Sequence, residues 1–309
     1  MAALVHLSDA DLVALGIGPG EIADAIERAL MDKAEGRLHT APKAAILPGG
    51  GRYVMSTLAV GADGLTVVKT VTVSPDNPAR GLPSINGAIQ AHDAETGLLK
   101  AVLDANWITA VRTAGLSAVA ARRLASSGAE SVAFIGTGVQ ARSHLDALAA
   151  LFPLRRIHAF GRGGESQTRL LNKARDMGLE AQAETDANAA IAAADIVVTS
   201  VPLDYEIAPF LDAGQLRPGA FAAITDLAIP WRDETLGAFG TLVVDDLEQE
   251  RAAPRPMVPA ERIAGDLTDL VAGRVGAPSD DKPRAFAFRG ISLGDYAVTR
   301  LALERAGHG

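Results

Sequence analysis

The most informative part of the sequence is Ser131-Val-Ala-Phe-Ile-Gly136-Thr-Gly138-Val-Gln140-Ala141. It combines an apolar strand, a turn with two glycines and the start of an Ala-rich helix, in the order of the Gly-x-Gly-x-x-Gly/Ala dinucleotide fingerprint. Gly136 permits the tight turn, Gly138 lets the backbone approach a pyrophosphate, and the small Ala141 lets the helix pack on the strand. A plain strand-to-helix turn is the alternative interpretation. The context favours a dinucleotide whose phosphates face the N–H groups of the helix.

The end of the next strand bears on which dinucleotide is bound. An NAD site usually has Asp or Glu there to hold the ribose 2′-OH, but this sequence continues as Phe160-Gly161-Arg162. Arg162 could bind a 2′-phosphate through its guanidinium group, although a solvated loop arginine is the alternative. Glu165 could still reach a ribose. The sequence therefore favours NADP(H) and leaves NAD(H) open.

Strand and helix patterns alternate around this turn, which predicts a doubly wound parallel sheet covered on both faces. The predicted strands there are 131–135, 156–160, 179–183, 195–200, 221–225 and 242–245, and the predicted helices are 113–126, 139–151, 165–177 and 187–193. Residues 1–110 differ, because a helical pattern is followed by alternating apolar runs typical of an antiparallel sheet. In that part the predicted helix is 8–36 and the predicted strands are 44–47, 53–60, 65–73, 85–92 and 98–104. A last helix is predicted at 294–306.

Composition excludes several classes of function. The chain has 309 residues and a net charge of −8, and an acidic chain of this kind is a poor candidate for nucleic-acid binding. It has no cysteine, and its six histidines show no paired-ligand spacing, so no metal site is expected. No signal-peptide pattern opens the sequence, and no apolar run reaches the ~18 residues of a membrane span. We therefore expect a cytoplasmic protein that acts on a small molecule.

Two basic residues stand out in the N-terminal part. Lys69 interrupts an apolar, β-branched strand, where a buried ammonium is costly unless it snorkels or faces a polar cavity. Arg112 precedes the predicted helix 113–126, and a fixed arginine in a cleft is suited to bidentate recognition of a carboxylate. An edge-strand lysine and an internal salt bridge are the alternatives, and the residue types alone do not separate them.

These motifs together resemble the ornithine cyclodeaminase/mu-crystallin family over nearly the whole chain. The segments that carry the resemblance are Val68-Lys-Thr-Val-Thr, Pro75-x-Asn77, Gly81-Leu-Pro83, Trp107-Ile-Thr-Ala-Val-Arg112-Thr113-Ala-Gly-Leu-Ser117, Gly136-Thr-Gly138-Val-Gln140-Ala, Ala194-Asp195-Ile-Val-Val-Thr199-Ser200, Phe288-Arg-Gly290 and Asp295-Tyr-Ala. The Arg-Thr-Ala segment and the Gly-x-Gly-x-Gln-Ala turn together are the most specific of these.

The resemblance implies a Rossmann domain, residues 115–287, and an α+β substrate-binding and dimerisation domain, residues 1–114 with 288–309. It implies either cyclodeamination of ornithine with bound NAD or NAD(P)H-dependent reduction of imines next to a carboxylate, by a homodimer. Residues implied to bind or polarise the substrate are Lys43, Tyr53, Lys69 and Arg112. Residues implied to bind the dinucleotide are Thr113, Gly136, Thr137, Gly138, Val139, Gln140, Arg162, Thr199, Ser200 and Val201.

Departures from the family pattern favour one of these reactions. Cyclodeaminases carry a catalytic Asp two residues before the proline of a Pro-x-x-x-Glu segment, and Ala228 holds that place before Pro230. Asp226, two residues earlier, is the candidate catalytic acid that would replace it. Tyr53 stands where cyclodeaminases have a glutamate. The departures point to a reductase of Δ1-pyrroline-2-carboxylate or Δ1-piperideine-2-carboxylate, as in proline metabolism.

Three alternatives stay open at this point. They are an ornithine cyclodeaminase, an amino-acid dehydrogenase such as alanine dehydrogenase, and a mu-crystallin-like protein that binds NADPH without useful catalysis. In the favoured reaction the cofactor carries the chemistry while the protein positions the imine. Lys69 would then hydrogen-bond or protonate the imine nitrogen.

Overall fold

A computed structural model describes residues 4–162, 164–204, 206–279 and 281–309. Contacts divide the chain into two compact units. Unit 1 comprises Met1–Arg112 and Ile291–Gly309, and unit 2 comprises Thr113–Gly290. In the described part of the chain, no helix is both long and apolar enough to cross a membrane.

The helices and strands are numbered along the chain. The first part contains β1 (Val5–Leu7), α1 (Asp9–Ala14), α2 (Pro19–Ala34), β2 (Leu38–Gly49), β3 (Arg52–Gly61), β4 (Leu65–Val73), β5 (Ile85–Asp93), β6 (Leu99–Asp104) and α3 (Asn106–Leu124). The second part contains β7 (Ser131–Ile135), α4 (Val139–Ala149), β8 (Arg156–Phe160), α5 (Glu165–Asp176), β9 (Glu180–Glu184), α6 (Ala187–Ala192), β10 (Ile196–Thr199), β11 (Phe221–Ile224), β12 (Thr241–Val244), α7 (Leu247–Ala252), β13 (Ile263–Asp266), α8 (Leu267–Val271), β14 (Arg284–Ala287) and α9 (Ser292–Arg305).

Unit 1 is built on a six-stranded sheet of order β1-β6-β5-β4-β3-β2. Its pairs are antiparallel except for β1 with β6. Alternate side chains of each strand point to the same face, and in β4 the buried ones are Leu65, Val67, Lys69 and Val71. Helix α9 packs against β3 and β4 and also contacts α2. Lys69 is therefore a charged residue on the buried face of an otherwise apolar strand.

Unit 2 is built on an eight-stranded parallel sheet of order β13-β12-β14-β11-β10-β7-β8-β9. From β7 the chain adds β8 and β9 on one side, and it then returns to add β10 and the later strands on the other side of β7. This order confirms the predicted doubly wound α/β fold. The strand order therefore reverses between β7 and β10. Ligands of such folds bind outside the carboxyl ends of the strands at this reversal.

The predicted helix 8–36 is wrong as a single element. Gly16 has φ +63°, in the left-handed region, and it separates α1 from α2. Pro19 then opens α2 at its first turn, where its missing N–H is no loss.

Helix α3 begins seven residues before the predicted start at 113, at Asn106. The backbone N–H of Trp107 donates to Asp9 Oδ1 at 2.8 Å. A carboxylate from the far N-terminus therefore caps this helix. The residues next to the helix in sequence do not include the capping residue, so they do not reveal where the helix starts. As a result, Arg112 lies inside the helix and not before it.

Four elements between 247 and 287 were not predicted: α7, β13, α8 and β14. The segment Arg284–Ala287, an arginine followed by three apolar residues, is buried throughout and forms a central strand between β11 and β12. So short a segment has no period that identifies it as a strand. Its place in the sheet depends on the neighbours that it pairs with.

Candidate active site

A buried ionic cluster in unit 1 contains two of the predicted catalytic residues. Asp295 Oδ1 lies 2.6 Å from Lys69 Nζ and 3.0 Å from Arg112 Nε. Thr57 Oγ1 donates to Asp295 Oδ2 at 3.1 Å. The exposed fractions of Lys69, Arg112 and Asp295 are 1%, 4% and 1%. The structure thus brings Lys69 and Arg112 together on one carboxylate.

The sheet register brings a third cation to this place. Thr57 on β3 pairs with Lys69 on β4. The pairing of β2 with β3 shifts between Ala41 and Ala44, so that two residues of β2, one of them Lys43, lie opposite Thr57. Such a bulge re-aims side chains. Lys43 Nζ lies 5.9 Å from the centre of the Tyr53 ring, within cation–π range.

The charges of the cluster act on each other. Burial is the main cause that lowers the pKa of Lys69, to about 8, and the charges of Arg112 and Lys43 lower it further. The charge of Asp295 and its hydrogen bond raise the pKa of Lys69. Lys69 is therefore an ammonium at neutral pH whose proton is held less firmly than that of an exposed lysine.

The glycine turn of unit 2 lies where the strand order reverses. Gly136 follows β7 with φ +95°, and a Cβ on it would lie 2.5 Å from the carbonyl oxygen of Ser200, which follows β10. The Ser200 N–H donates to Ile135 O at 2.8 Å. Only glycine satisfies both the backbone conformation and this close approach.

The turn fits the dinucleotide that the sequence predicts. Gly138 is the N-cap of α4, and a Cβ on it would meet no atom within 4 Å, so open space lies in front of the helix N-terminus. Ser200 Oγ and Gln140 Oε1 are buried and make no hydrogen bond to the described residues. Thr137 Oγ1 lies 3.1 Å from Ser166 Oγ, and Val139 is exposed. Open space, a helix N-terminus and a serine hydroxyl without a partner among the described residues suit a phosphorylated ligand.

Asp226 lies just beyond the end of β11 and is 1% exposed. Its Oδ1 accepts from Thr199 Oγ1 at 3.0 Å, and its Oδ2 accepts from the Val201 N–H at 3.1 Å. Burial raises the pKa of Asp226 to about 7. Asp226 thereby holds the segment that faces Gly136. Its role as a catalytic acid stays a prediction.

Arginines surround the loop that follows β8. Arg162 is exposed in this loop, and Arg142 on α4 has a buried Nη1 without a hydrogen bond to any described residue. Burial and the charge of Arg169 on α5 lower the pKa of Arg142. One turn further along both helices, Asp146 and Lys173 form an ion pair at 2.7 Å. The N-terminal ends of α4 and α5 are therefore the more positive ends of this interface.

A buried histidine connects two helices near the glycine turn. His144 Nδ1 lies 2.8 Å from Gln140 O, and Nε2 lies 2.9 Å from Ser117 Oγ. A carbonyl only accepts, so Nδ1 carries the hydrogen and Nε2 accepts from the serine hydroxyl. Burial lowers the pKa of His144 to about 4, so the imidazole is neutral at physiological pH. Ser117 lies one turn beyond Thr113 on α3, and this bond ties that part of α3 to α4.

Sequence reasoning missed Asp295, Thr57 and His144 as parts of these sites. Asp295 was implicated only through the motif Asp295-Tyr-Ala of the family resemblance. The available signal was a single acid in the nearly apolar run Gly290–Ala297, where a buried carboxylate requires a cation. Thr57 and His144 had no comparable signal, because threonine in a strand and histidine in a helix are both common.

Known proteins resemble this chain over most of its length. The ornithine cyclodeaminase/mu-crystallin family model matches residues 13–309. A Δ1-pyrroline-2-carboxylate/Δ1-piperideine-2-carboxylate reductase of Azospirillum brasilense is 32% identical over 96% of each chain.

Two solved structures are also similar. An archaeal alanine dehydrogenase dimer with bound NAD has 26% identity and a TM-score of 0.87, covering 98% of this chain and 96% of its own. The Thermococcus litoralis Δ1-pyrroline-2-carboxylate reductase in complex with NADH and L-proline has 23% identity and a TM-score of 0.88, covering 98% and 97%, which supports the fold. These relatives are oxidoreductases of amino or imino acids.

Proposed function

The chain belongs to the ornithine cyclodeaminase/mu-crystallin family, and we propose that it is an NAD(P)H-dependent reductase of a small cyclic imino acid. The substrate class is Δ1-pyrroline-2-carboxylate or Δ1-piperideine-2-carboxylate, which the Azospirillum brasilense relative is named for. The product would be the corresponding cyclic amino acid.

The observation that carries this proposal is the charge of the cluster in unit 1. Lys43, Lys69 and Arg112 carry three positive charges and Asp295 carries one negative charge, so these four residues have a net charge of +2. Lysine and arginine side chains gathered in this way are suited to bind a carboxylate. A carboxylate next to a C=N bond would place the reacting carbon near Lys69.

The residues of unit 1 then have separate tasks. Arg112 and Lys43 bind the substrate carboxylate, and the Tyr53 ring beside Lys43 limits where it can lie. Lys69 donates a hydrogen bond or a proton to the imine nitrogen, which increases the electrophilicity of the neighbouring carbon. When bound, the dinucleotide supplies the hydride that this carbon accepts, so the C=N bond becomes a CH–NH bond. Asp226 is the second candidate acid.

The proposal includes NADP(H) as the favoured dinucleotide, with NAD(H) as the alternative. Gly136, Gly138 and the start of α4 would hold the pyrophosphate, with the Ser200 hydroxyl donating at its side. The absence of a carboxylate at the end of β8 and the presence of Arg162 and Arg142 support a 2′-phosphate.

A homodimer is part of the proposal. The archaeal alanine dehydrogenase, which is similar over nearly its whole length, is a dimer. Several strands of the six-stranded sheet expose large apolar side chains, which a partner subunit would cover. These side chains are Ile46, Leu47, Leu58, Ile85 and Leu99. Light scattering of the purified chain tests this directly.

Turnover tests the function. The protein is incubated with NADPH or NADH and with each cyclic imino acid, and loss of dinucleotide absorbance is followed. We expect turnover with at least one cyclic imine and faster turnover with NADPH. Release of ammonia from ornithine without added reductant would instead assign a cyclodeaminase. Dinucleotide binding without turnover of any substrate would assign a binding protein.

An amino-acid dehydrogenase is the second candidate, favoured by the 26% identity with the archaeal alanine dehydrogenase. Its substrate would be the open-chain imine that pyruvate and ammonia form. The same assay with pyruvate and ammonium separates the two candidates, because a cyclic-imine reductase needs no free ammonia. If the rate with pyruvate exceeds the rates with both cyclic imines, the second candidate replaces the first.

A further inference from the structure

Asp295 is the only acid among the four charged residues of the cluster. It lies in the first turn of α9, far in sequence from its partners, and is 1% exposed. Its carboxylate contacts β4 through Lys69, α3 through Arg112 and β3 through Thr57. Three separate elements therefore converge on one side chain that sequence analysis did not assign.

We propose that Asp295 is a positioning residue of the active site: it orients Lys69 and Arg112 and places a negative charge beside both. The inference rests on the proposed function, because it concerns the two cations that would bind the substrate. Asp295 would not itself contact the reacting atoms, since both of its oxygens are already engaged by the three partners.

The charges that face Lys69 support this role. Arg112 on α3 and Lys43 on β2 both favour the neutral amine, as does burial, while Asp295 on α9 favours the ammonium. Thr57, opposite Lys69 on β3, has no charge and bonds to the carboxylate instead. Replacing Asp295 by a neutral group would leave the ammonium beside two cations in a dry site, and its proton would be lost at lower pH.

The location of Asp295 on α9 suits a negative charge. The first turn of a helix carries partial positive charge, which attracts a carboxylate, and Lys69 Nζ and Arg112 Nε lie within 3.0 Å of it.

The test compares Asp295→Asn with Asp295→Glu and with a control, Glu304→Gln. Glu304 is an acid on the same helix whose side chain, in the described contacts, bonds only to Arg300. The dependence of kcat/KM on pH is measured for each variant, together with the melting temperature. The Lys69 ammonium is the competent form, so activity is present below its pKa and is lost as pH rises through about 8.

For Asp295→Asn we expect this alkaline limb to move down by at least about one pH unit and kcat/KM at pH 7.5 to fall about threefold or more. Activity should recover toward pH 6. Asp295→Glu should keep the position of the limb and raise KM, because the charge stays while the geometry changes. Glu304→Gln should match the wild type. A uniform loss at every pH with an unmoved limb would overturn the proposal, as would an unchanged profile.

A second variant tests the proposal if the first one does not fold. If Asp295→Asn does not fold, Thr57→Val removes the bond to Oδ2 without changing any charge, and its limb should stay in place while KM rises. A shifted limb in Thr57→Val would contradict the charge argument.

Binding of pyrrole-2-carboxylate, a planar carboxylate probe, is also measured by calorimetry as a function of pH. If the wild type binds the probe but reduces no imine, the proposed function fails. The position of the binding limb in Asp295→Asn then still tests Asp295, and an unmoved limb overturns its role.

Discussion

The two candidate sites are built by different physical means. The site of unit 1 is made of charge, since Lys69, Arg112 and Asp295 are buried together and the charge of the half-buried Lys43 acts on Lys69. The site of unit 2 is made of shape, since a glycine turn, a helix N-terminus and uncharged polar atoms lie beside open space. A site made of charges should lose activity when a protonation state changes, whereas a site made of backbone should lose binding when a side chain adds volume. The following substitutions separate these two effects.

The largest effect is expected for Lys69→Met, which keeps an unbranched chain of similar volume and removes the charge. Loss of the proton donor and of part of the carboxylate site should lower kcat/KM about 10³-fold. Dinucleotide binding, followed by fluorescence quenching, should be unchanged because Lys69 belongs to unit 1. If imine reduction continued at the wild-type rate, Lys69 would have no catalytic part.

Gly136→Ala should give the next largest effect, now on the other site. Its Cβ would lie 2.5 Å from Ser200 O at a backbone φ of +95°. Strain of about 1–3 kcal/mol should lower dinucleotide affinity by about 10- to 100-fold and also lower the melting temperature.

Gly138→Ala is the matched control, because its Cβ meets no atom within 4 Å and its φ is −76°. It should leave stability unchanged and weaken only dinucleotide binding. Equal loss of stability in both variants would contradict the steric account of Gly136.

The contrast between Lys69 and His144 extends the comparison to buried titratable groups. Lys69 is buried with an acid, whereas His144 is buried as a neutral ring with a folded-state pKa of about 4. The unfolded chain takes up the proton below about pH 6.5, and the folded state does not, so stability falls as pH decreases from 6.5 toward 4. Between pH 6.5 and pH 5 the free energy of unfolding should fall by about 2 kcal/mol.

Denaturant unfolding at a series of pH values measures this effect. His144→Gln keeps polar atoms at the position and removes the titration, so its stability should depend less on pH in that window. If both proteins lost the same stability from pH 6.5 to pH 5, other groups would be responsible.

The smallest effect is expected for Arg162→Gln, which tests the dinucleotide. Loss of one exposed guanidinium beside a 2′-phosphate should cost NADPH about tenfold in affinity and leave NADH almost unchanged. Arg142→Gln should act in the same direction, since its Nη1 is buried at the same end of α4 and α5. Equal losses for NADPH and NADH would argue against a 2′-phosphate at this end.

How well the sequence predicted each site follows from how each is assembled. The glycine turn is contiguous, so residues 131–141 carried its strand, its conformation and its helix together. The cluster of unit 1 draws on residues from β3, β4, α3 and α9, and only the fold brings them together. Lys69 and Arg112 were found because a charge in an apolar context is unusual and because the motifs resemble a family. Asp295, their common partner, was not.

The fold shows the same division. Strands β4, β5 and β6 were predicted to within one residue, whereas β2 begins six residues before its predicted start at 44. The start of α3 was not predicted, because its cap comes from Asp9, and β14 was missed because a segment of four residues has no readable period. Patterns of neighbouring residues predicted the local elements. Features that form between segments distant in sequence could be identified only in the folded structure.

The bond from Trp107 to Asp9 has a practical consequence for anyone who produces this chain. Asp9 also donates its backbone N–H to Asp104, and the strand just before it joins the edge of the six-stranded sheet. Trimming the first nine residues would uncap a helix that carries Arg112 less than two turns later, at a cost of about 1 kcal/mol. An amino-terminal truncation would thus destabilise the helix that holds an arginine proposed to bind the substrate. Affinity tags are therefore better placed at the carboxyl terminus.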